Sequence, residues 1–354
     1  MDEETRVRRD KCHTFIHGDG PVRPAEYLAA IGDDVVADIY GDGGVVADLE
    51  STVADLLGFP AAVFLPSGTM AQAATLRVHA DQRGTRTVLW HPMCHLATHE
   101  GEAYSRVHGL TGRSVGERHR LLTLEDVGGV AEPLAAVLWE LPQRDLGGQL
   151  PDWDDLAGQV SWARGRGAAA HLDGARLWEA GAGYQRPLTE IAGLFDTVYV
   201  SFYKGIGALS GCCVAGPQPI VDQVRDWRKR LGGTLFAMWP AAASALTALP
   251  ERLAEMPARL EHARAVAAAL ADIDGVRVIP VPPQTPMMHL LFSVSEDRFT
   301  ANARRLADDE GIWVWPKPTP TDDPDVVRCE LSVGRATCRL DPPEIAKILQ
   351  SLCA

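Results

Sequence analysis

From residue 61 to residue 215 the chain alternates short apolar runs with amphipathic stretches long enough for helices. The apolar runs occupy residues 61–65, 87–90, 135–139, 168–172, 197–202 and 212–215. Runs of four to six apolar residues set between turn-forming or charged residues predict buried strands. Their alternation with helix-length segments predicts an α/β domain with a mainly parallel sheet. Upstream, residues 25–58 predict two helical stretches around the turn-like Tyr40-Gly41-Asp42-Gly43-Gly44. Downstream, a long helical tract begins at Ile220, breaks at Gly232-Gly233 and Pro240, and resumes to Ala271. Residues 276–281, 288–294 and 326–331 then predict strands, 298–310 and 343–352 predict helices, and the proline-rich stretch 316–324 predicts a loop. The expected organisation is an N-terminal arm (1–24), a large α/β domain (25–245) and a small α+β domain (246–354), with no internal repeat.

Composition narrows the partners. A chain of 354 residues that is 46% hydrophobic and 23% charged holds enough apolar material for a large core and a smaller one. Residues 1–11 are a run of mixed charges without the apolar stretch of a signal peptide, and no apolar run reaches membrane-spanning length. A cytoplasmic protein without a membrane partner is expected. Seven cysteines with no repeated spacing suit reduced thiols, and no disulfide is assigned. The net charge of −13 argues against a nucleic-acid partner, which would need a basic surface to neutralise phosphates.

The scarcity of lysine makes each one informative. Lys11, Lys229, Lys317 and Lys347 fall in polar or amphipathic segments. Only Lys204 follows a buried strand and leads into a glycine-rich stretch, a place where an amine can be desolvated and nucleophilic. Other strand-to-loop junctions also carry polar groups, where ligands bind in open α/β sheets. Ser67-Gly68-Thr69 opens a helix after the strand 61–65 and offers N–H groups and two hydroxyls to an anion, or else is an ordinary helix cap. Asp173 ends the strand 168–172 in His171-Leu172-Asp173-Gly174-Ala175-Arg176, either as a carboxylate for a ring nitrogen or as a structural partner of Arg176. Ser201 stands three residues before Lys204. His91, Cys94, His95 and His99 cluster after the strand 87–90, but a second pair of ligands is missing elsewhere, so no metal site is expected.

The order of these segments resembles the low-specificity L-threonine aldolases of the β-eliminating lyase group. Asp38-Ile39-Tyr40-Gly41 is similar to the group's Asp-Val-Tyr-Gly, and 64–71 to its phosphate-binding Val-Pro-Ser-Gly-Thr-Met-Ala. His95-Leu96-Ala97-Thr98-His99-Glu100 resembles the segment whose first histidine stacks on the cofactor. Residues 171–178 match His-Leu-Asp-Gly-Ala-Arg-Leu-Trp, and Lys204-Gly205-Ile206-Gly207-Ala208 is similar to Lys-Gly-Leu-Gly-Ala. The resemblance implies the aminotransferase-like fold of pyridoxal-phosphate (PLP)-dependent transferases, with Lys204 as Schiff-base lysine. By the same resemblance Ser67, Gly68, Thr69, His95, Asp173, Arg176 and Ser201 hold the cofactor. Arg176 and Arg328 would clamp a substrate carboxylate, with Lys204, His95 and Asp173 doing the chemistry. The implied reaction cleaves, or forms, the Cα–Cβ bond of a β-hydroxy-α-amino acid, giving glycine and an aldehyde. β-Elimination, transaldolation, racemisation or a PLP-binding subunit without turnover remain alternatives.

The departures from the group's pattern cluster near the substrate. Its Glu-Asn-Thr-His run stands here as Glu140-Leu141-Pro142-Gln143, and an amide cannot accept the proton that a histidine can. Gln143 is therefore expected to face the substrate's β-substituent, with His95, His99, His17 or a water on Gln143 as base. The N-terminal carboxylate-binding pattern becomes 17–21 with His17, the serine before the lysine becomes Tyr203, and a segment that carries an arginine becomes 232–237. Enzymes of this architecture share sites between subunits, so a homodimer or homotetramer is implied, with Tyr40 and the 232–238 loop reaching across.

Overall fold

The computed structural model describes all 354 residues, and the chain divides into two compact units. The larger comprises Arg23–Asp145 and Leu150–Ala254; the smaller comprises Met1–Val22, Leu146–Gln149 and Glu255–Ala354.

The larger unit is built on seven strands: β1 (Ala61–Leu65), β2 (Thr87–Trp90), β3 (Thr111–Ser114), β4 (Ala136–Glu140), β5 (Ala169–Gly174), β6 (Thr197–Ser201) and β7 (Cys212–Gly216). They lie in the order β1-β7-β6-β5-β4-β2-β3. All neighbours run parallel except β7, which is antiparallel to both β1 and β6. The mixed α/β class with a mainly parallel sheet is thus as expected. Strands β5, β6 and β7 are buried at every position, which is why they read as mainly apolar runs in the sequence. The edge strand β3 escaped that reading because its Thr-Gly-Arg-Ser is polar and exposed throughout.

The helix Gly68–Arg83 is pinned to this sheet by a buried polar network. His171 Nδ1 and His79 Nε2 each lie 2.8 Å from Thr197 Oγ1, and His171 Nε2 lies 2.7 Å from Gln72 Oε1. Burial drives the pKa of both imidazoles down to about 3, so they stay neutral and serve as hydrogen-bonding pins. The turn around Tyr40 is fixed in the same manner by one buried carboxylate. Asp38 accepts N–H groups from Gly41 (2.7 Å), Met238 (2.8 Å) and Trp239 (2.7 Å), tying two loops together.

The smaller unit carries a four-stranded antiparallel sheet in the order Thr319–Pro320, Val327–Ser332, Met287–Phe292, Val276–Ile279. The helices Glu296–Glu310 and Pro342–Gln350 cover it, burying Leu290, Phe292, Phe299, Ile345 and Leu349. Two expectations need correcting. Residues 316–324 are not all loop: Thr319 and Pro320 pair with Arg328 and Val327 at the sheet edge, where a proline's missing N–H costs no ladder bond. The arm 1–24 is not a separate body either. Thr14–Phe15 pairs in parallel with Ile312–Trp313, and Ile16 is fully buried in this unit's core.

Asp38→Ala would leave three N–H groups without their acceptor. Hydrogen bonds to charged groups contribute roughly 1.5–3 kcal/mol each, so a loss of about 3 kcal/mol or more is expected in urea denaturation. Asp38→Asn, which keeps one acceptor oxygen, should lose less.

Candidate active site

The carboxyl ends of the parallel strands converge on one cavity of about 230 Å³. Ser67, Gly68, Thr69, His95, Asp173 and Lys204, all expected from the sequence, line it together. Pro66, Glu100, Tyr199 and Tyr203 complete the wall. Ser67 caps the helix Gly68–Arg83 without using its own hydroxyl, which leaves the first-turn N–H groups facing outward from a positive helix end. A Cβ at Gly68 would collide with the Tyr199 hydroxyl, so only glycine lets the backbone pass this close. Beside them, Ser201 Oγ is fully buried with no geometrically sound hydrogen-bond partner.

Lys204 follows β6 on a bend and is half-buried. Burial lowers its pKa, Asp173 opposes that shift, and Arg176 reinforces it. A lysine held below its ordinary range supplies more of the neutral, nucleophilic amine. Asp173 is buried, and its Oδ1 accepts the Ala175 N–H at 3.0 Å. Burial raises the pKa of Tyr199 and of Tyr203, so both phenols remain neutral donors.

His95 is held at two points. Its backbone N–H donates to Glu140 Oε2 at 3.1 Å, and its ring Nδ1 lies 3.0 Å from Glu100 Oε1. Glu140 ends β4 directly across from Asp173 and also accepts from Arg144 N (3.0 Å) and Gln143 Nε2 (3.1 Å). Burial, with Asp173 as neighbour, raises the Glu140 pKa well above the usual carboxylate range. One residue after the helix His95–Thr98, His99 Nε2 lies 3.1 Å from Asp145 Oδ2, its ring 4.9 Å from that of His95. His91 is fully used: Nδ1 accepts from Met93 N, and Nε2 faces the carbonyls of Glu117 and Arg120. No group of three His, Cys, Asp or Glu side chains is placed to hold a metal ion.

Several expected residues stand apart from this cavity wall. Gln143 is buried, donates Nε2 to Met93 O (3.2 Å) as well as to Glu140, and does not line this cavity. Arg176 caps the helix Leu177–Tyr184. Tyr40, at φ +55°, sits in the exposed turn with its ring edge-on to Phe236 at 5.3 Å. His17 and Arg328 belong to the smaller unit. There His17 Nδ1 accepts from Ser332 N at 3.2 Å, and Arg328 is paired in register with Leu291 and Thr319. Glu100, Glu140 and Tyr199 were missed by sequence reasoning. A carboxylate five positions after His95 was the one available signal for Glu100.

Tested against pyridoxal phosphate, the residues fit. A helix N-terminus with open N–H groups and a buried hydroxyl suit the phosphate, a buried carboxylate suits the ring nitrogen, and a depressed lysine suits the aldehyde.

Comparison with known proteins agrees with this geometry. The sequence profile of the beta-eliminating lyase family matches residues 14–292. The chain is 28% identical over 314 residues to the low-specificity L-threonine aldolase 1 of Arabidopsis thaliana, covering 84% of this chain and 86% of that one. It is 32% identical over 284 residues to aldolase vrtJ of Penicillium aethiopicum, covering 77% and 72%. The crystal structure of a "putative L-allo-threonine aldolase" from Listeria monocytogenes EGD-E superposes with a TM-score of 0.92 at 36% identity, covering 98% of each chain.

The raised pKa of Glu140 has a consequence for stability. Ionising it costs the folded state more than the unfolded one. Its contribution is therefore full below the ordinary carboxylate pKa and is lost as pH rises toward neutrality. Glu140→Gln should gain stability relative to the parent over that window in urea denaturation, and a pH-independent difference would show that the carboxyl ionises freely.

Proposed function

We propose, on the premise that this chain belongs to the threonine aldolase/β-eliminating lyase family, that it splits the Cα–Cβ bond of a β-hydroxy-α-amino acid into glycine and an aldehyde. The observation that carries the reading is the meeting of Lys204, Asp173, His95 and the Ser67–Thr69 helix start on one cavity wall. PLP is the cofactor, and when bound it supplies the electron sink that stabilises negative charge at Cα. Lys204 is the residue that would hold it through its amine. Ser67, Gly68, Thr69 and Ser201 would hold its phosphate, Asp173 would keep its ring nitrogen protonated, and His95 would pack against its ring. Arg176, beside the cavity in the same unit, is the arginine assigned to the substrate carboxylate, which would set the Cα–Cβ bond in the breaking direction.

The bonds balance without an outside oxidant. The β-hydroxyl loses its proton to a base on the protein, the O–H electron pair becomes the second bond of the aldehyde carbonyl, and the Cα–Cβ pair stays with Cα. A proton returned to Cα completes glycine. Because Gln143 is engaged with Glu140 and Met93, its amide does not serve as that base.

Two further parts of the reading concern the setting of the enzyme. A homodimer or homotetramer is supported by the exposed apolar patch of Ile39, Tyr40, Leu235 and Phe236 on the two loops that Asp38 ties together. A cytoplasmic location is supported by seven unpaired cysteines, five of them buried, and no helix is long and apolar enough to cross a membrane.

The reaction is tested by incubating the holoenzyme with a panel of β-hydroxy-α-amino acids and following glycine and aldehyde release. Borohydride reduction should fix a pyridoxyl mass on the peptide containing Lys204, and Lys204→Ala should show no cleavage. Cofactor bound with no turnover of any panel member would favour a PLP-binding subunit instead. For the assembly, Phe236→Glu should shift the sedimentation species toward monomer and lower activity; an active monodisperse parent monomer would refute the shared-site reading.

A further inference from the structure

We propose that Glu100 is the positioning residue of a His95–Glu100 pair that makes His95 the proton acceptor for the substrate's β-hydroxyl. The inference rests on the reaction proposed above and names the base that reaction needs.

The argument starts from the groups on the cavity wall that can take a proton. Lys204 is committed to attachment, and Asp173, bound to the Ala175 N–H, is committed to the ring nitrogen. Tyr199 and Tyr203 stay protonated through burial. What remains on the wall is His95 with Glu100. The Glu100 side chain is only 4% exposed, and its two oxygens differ. Oε1 lies 3.0 Å from His95 Nδ1, whereas Oε2 is buried without a hydrogen-bond partner. A carboxylate only accepts hydrogen bonds, so the contact obliges Nδ1 to carry the ring's proton and leaves the lone pair on Nε2. The partnerless Oε2 is itself a sign of function. A buried carboxylate oxygen left unsatisfied costs stability in the resting fold, and a donor from substrate would satisfy it.

Glu100 also keeps the imidazole still. With the backbone N–H of His95 on Glu140 and the ring on Glu100, main chain and side chain of the same residue are fixed by two different carboxylates. In the step itself, the O–H bond of the β-hydroxyl breaks as Nε2–H forms, and the positive charge that appears on the imidazole is met by Glu100 at once. The same proton can return from Nε2 to Cα, so the pair ends as it began.

Four variants test the pair: Glu100→Gln, Glu100→Asp, His95→Asn and the double variant, each as holoenzyme with cofactor content checked by borohydride labelling. General-base catalysis typically contributes about 10²–10⁴-fold. Glu100→Gln is expected to lower kcat by about 10²-fold with KM within threefold of the parent, and Glu100→Asp to recover part of it. In the His95→Asn background, Glu100→Gln should cost no more than about twofold further. Multiplying losses, or a rise in KM with kcat intact, would overturn the pair. A second readout does not depend on turnover. In 15N-histidine-labelled protein, the resonances that vanish in His95→Asn should show the Nδ1-protonated tautomer at neutral pH, and Glu100→Gln should change them. An Nε2-protonated His95 in the parent would refute the inference even in an active enzyme. The predicted tautomer in a protein that cleaves nothing would leave the pair standing and sink the reaction.

Discussion

Two carboxylates facing one another across neighbouring parallel strands set the constraint from which the rest of the site follows. Glu140 and Asp173 are register partners at the ends of β4 and β5, Asp173 buried and Glu140 partly buried. Like charges so placed cannot both ionise freely without compensation. The fold answers with donors. Asp173 takes a backbone N–H and has the Lys204 cation as an electrostatic partner; Glu140 gathers N–H groups from His95, Arg144 and the Gln143 amide. Satisfying Glu140 therefore draws the loop after β2 and the turn after β4 into fixed positions. His95 is placed on the cavity wall by the same bonds that make the carboxylate tolerable.

Gln143 occupies this segment as a donor to Glu140. Its amide Nε2 donates to both a carboxylate and a carbonyl, a task for which a neutral donor is better suited than a group that must also accept protons. The segment holds Glu140, and Glu140 in turn accepts the His95 N–H.

Much of this was legible in the sequence, and the parts that were not have physical reasons. Strands β5, β6 and β7 are buried throughout and so announce themselves as apolar runs, and Lys204 stood out because the other four lysines lie in polar surroundings. The helix start at Ser67-Gly68 was readable because capping and anion binding use the same residue types. Strand β3 was invisible, its four residues polar and exposed, held only by pairing with β2. Residues 1–24 read as an N-terminal arm because two strand residues and one buried isoleucine leave almost no periodic signal. Glu100 and Glu140 were missed for another reason. A carboxylate's role depends on which donors the fold brings to it, and nothing in a single Glu records that Nδ1 of His95 or three N–H groups will arrive there.

The site also contains its own control for what makes a histidine–carboxylate pair useful. His95 and His99 lie with rings 4.9 Å apart, and each has a carboxylate near 3 Å. Yet the bonded nitrogens differ. In His99 the outer nitrogen, Nε2, is tied to Asp145, so the free position is Nδ1, the one nearest its own backbone. In His95 the inner nitrogen is tied to Glu100, and the outer nitrogen is left with its lone pair. Solvent separates the two further. The His99 and Asp145 side chains are 42% and 10% exposed against 30% and 4% for His95 and Glu100, so the field of Glu100 on its imidazole is somewhat less screened. The two pairs therefore differ in which nitrogen the carboxylate holds: Nδ1 in His95, which leaves Nε2 clear of it, and Nε2 in His99.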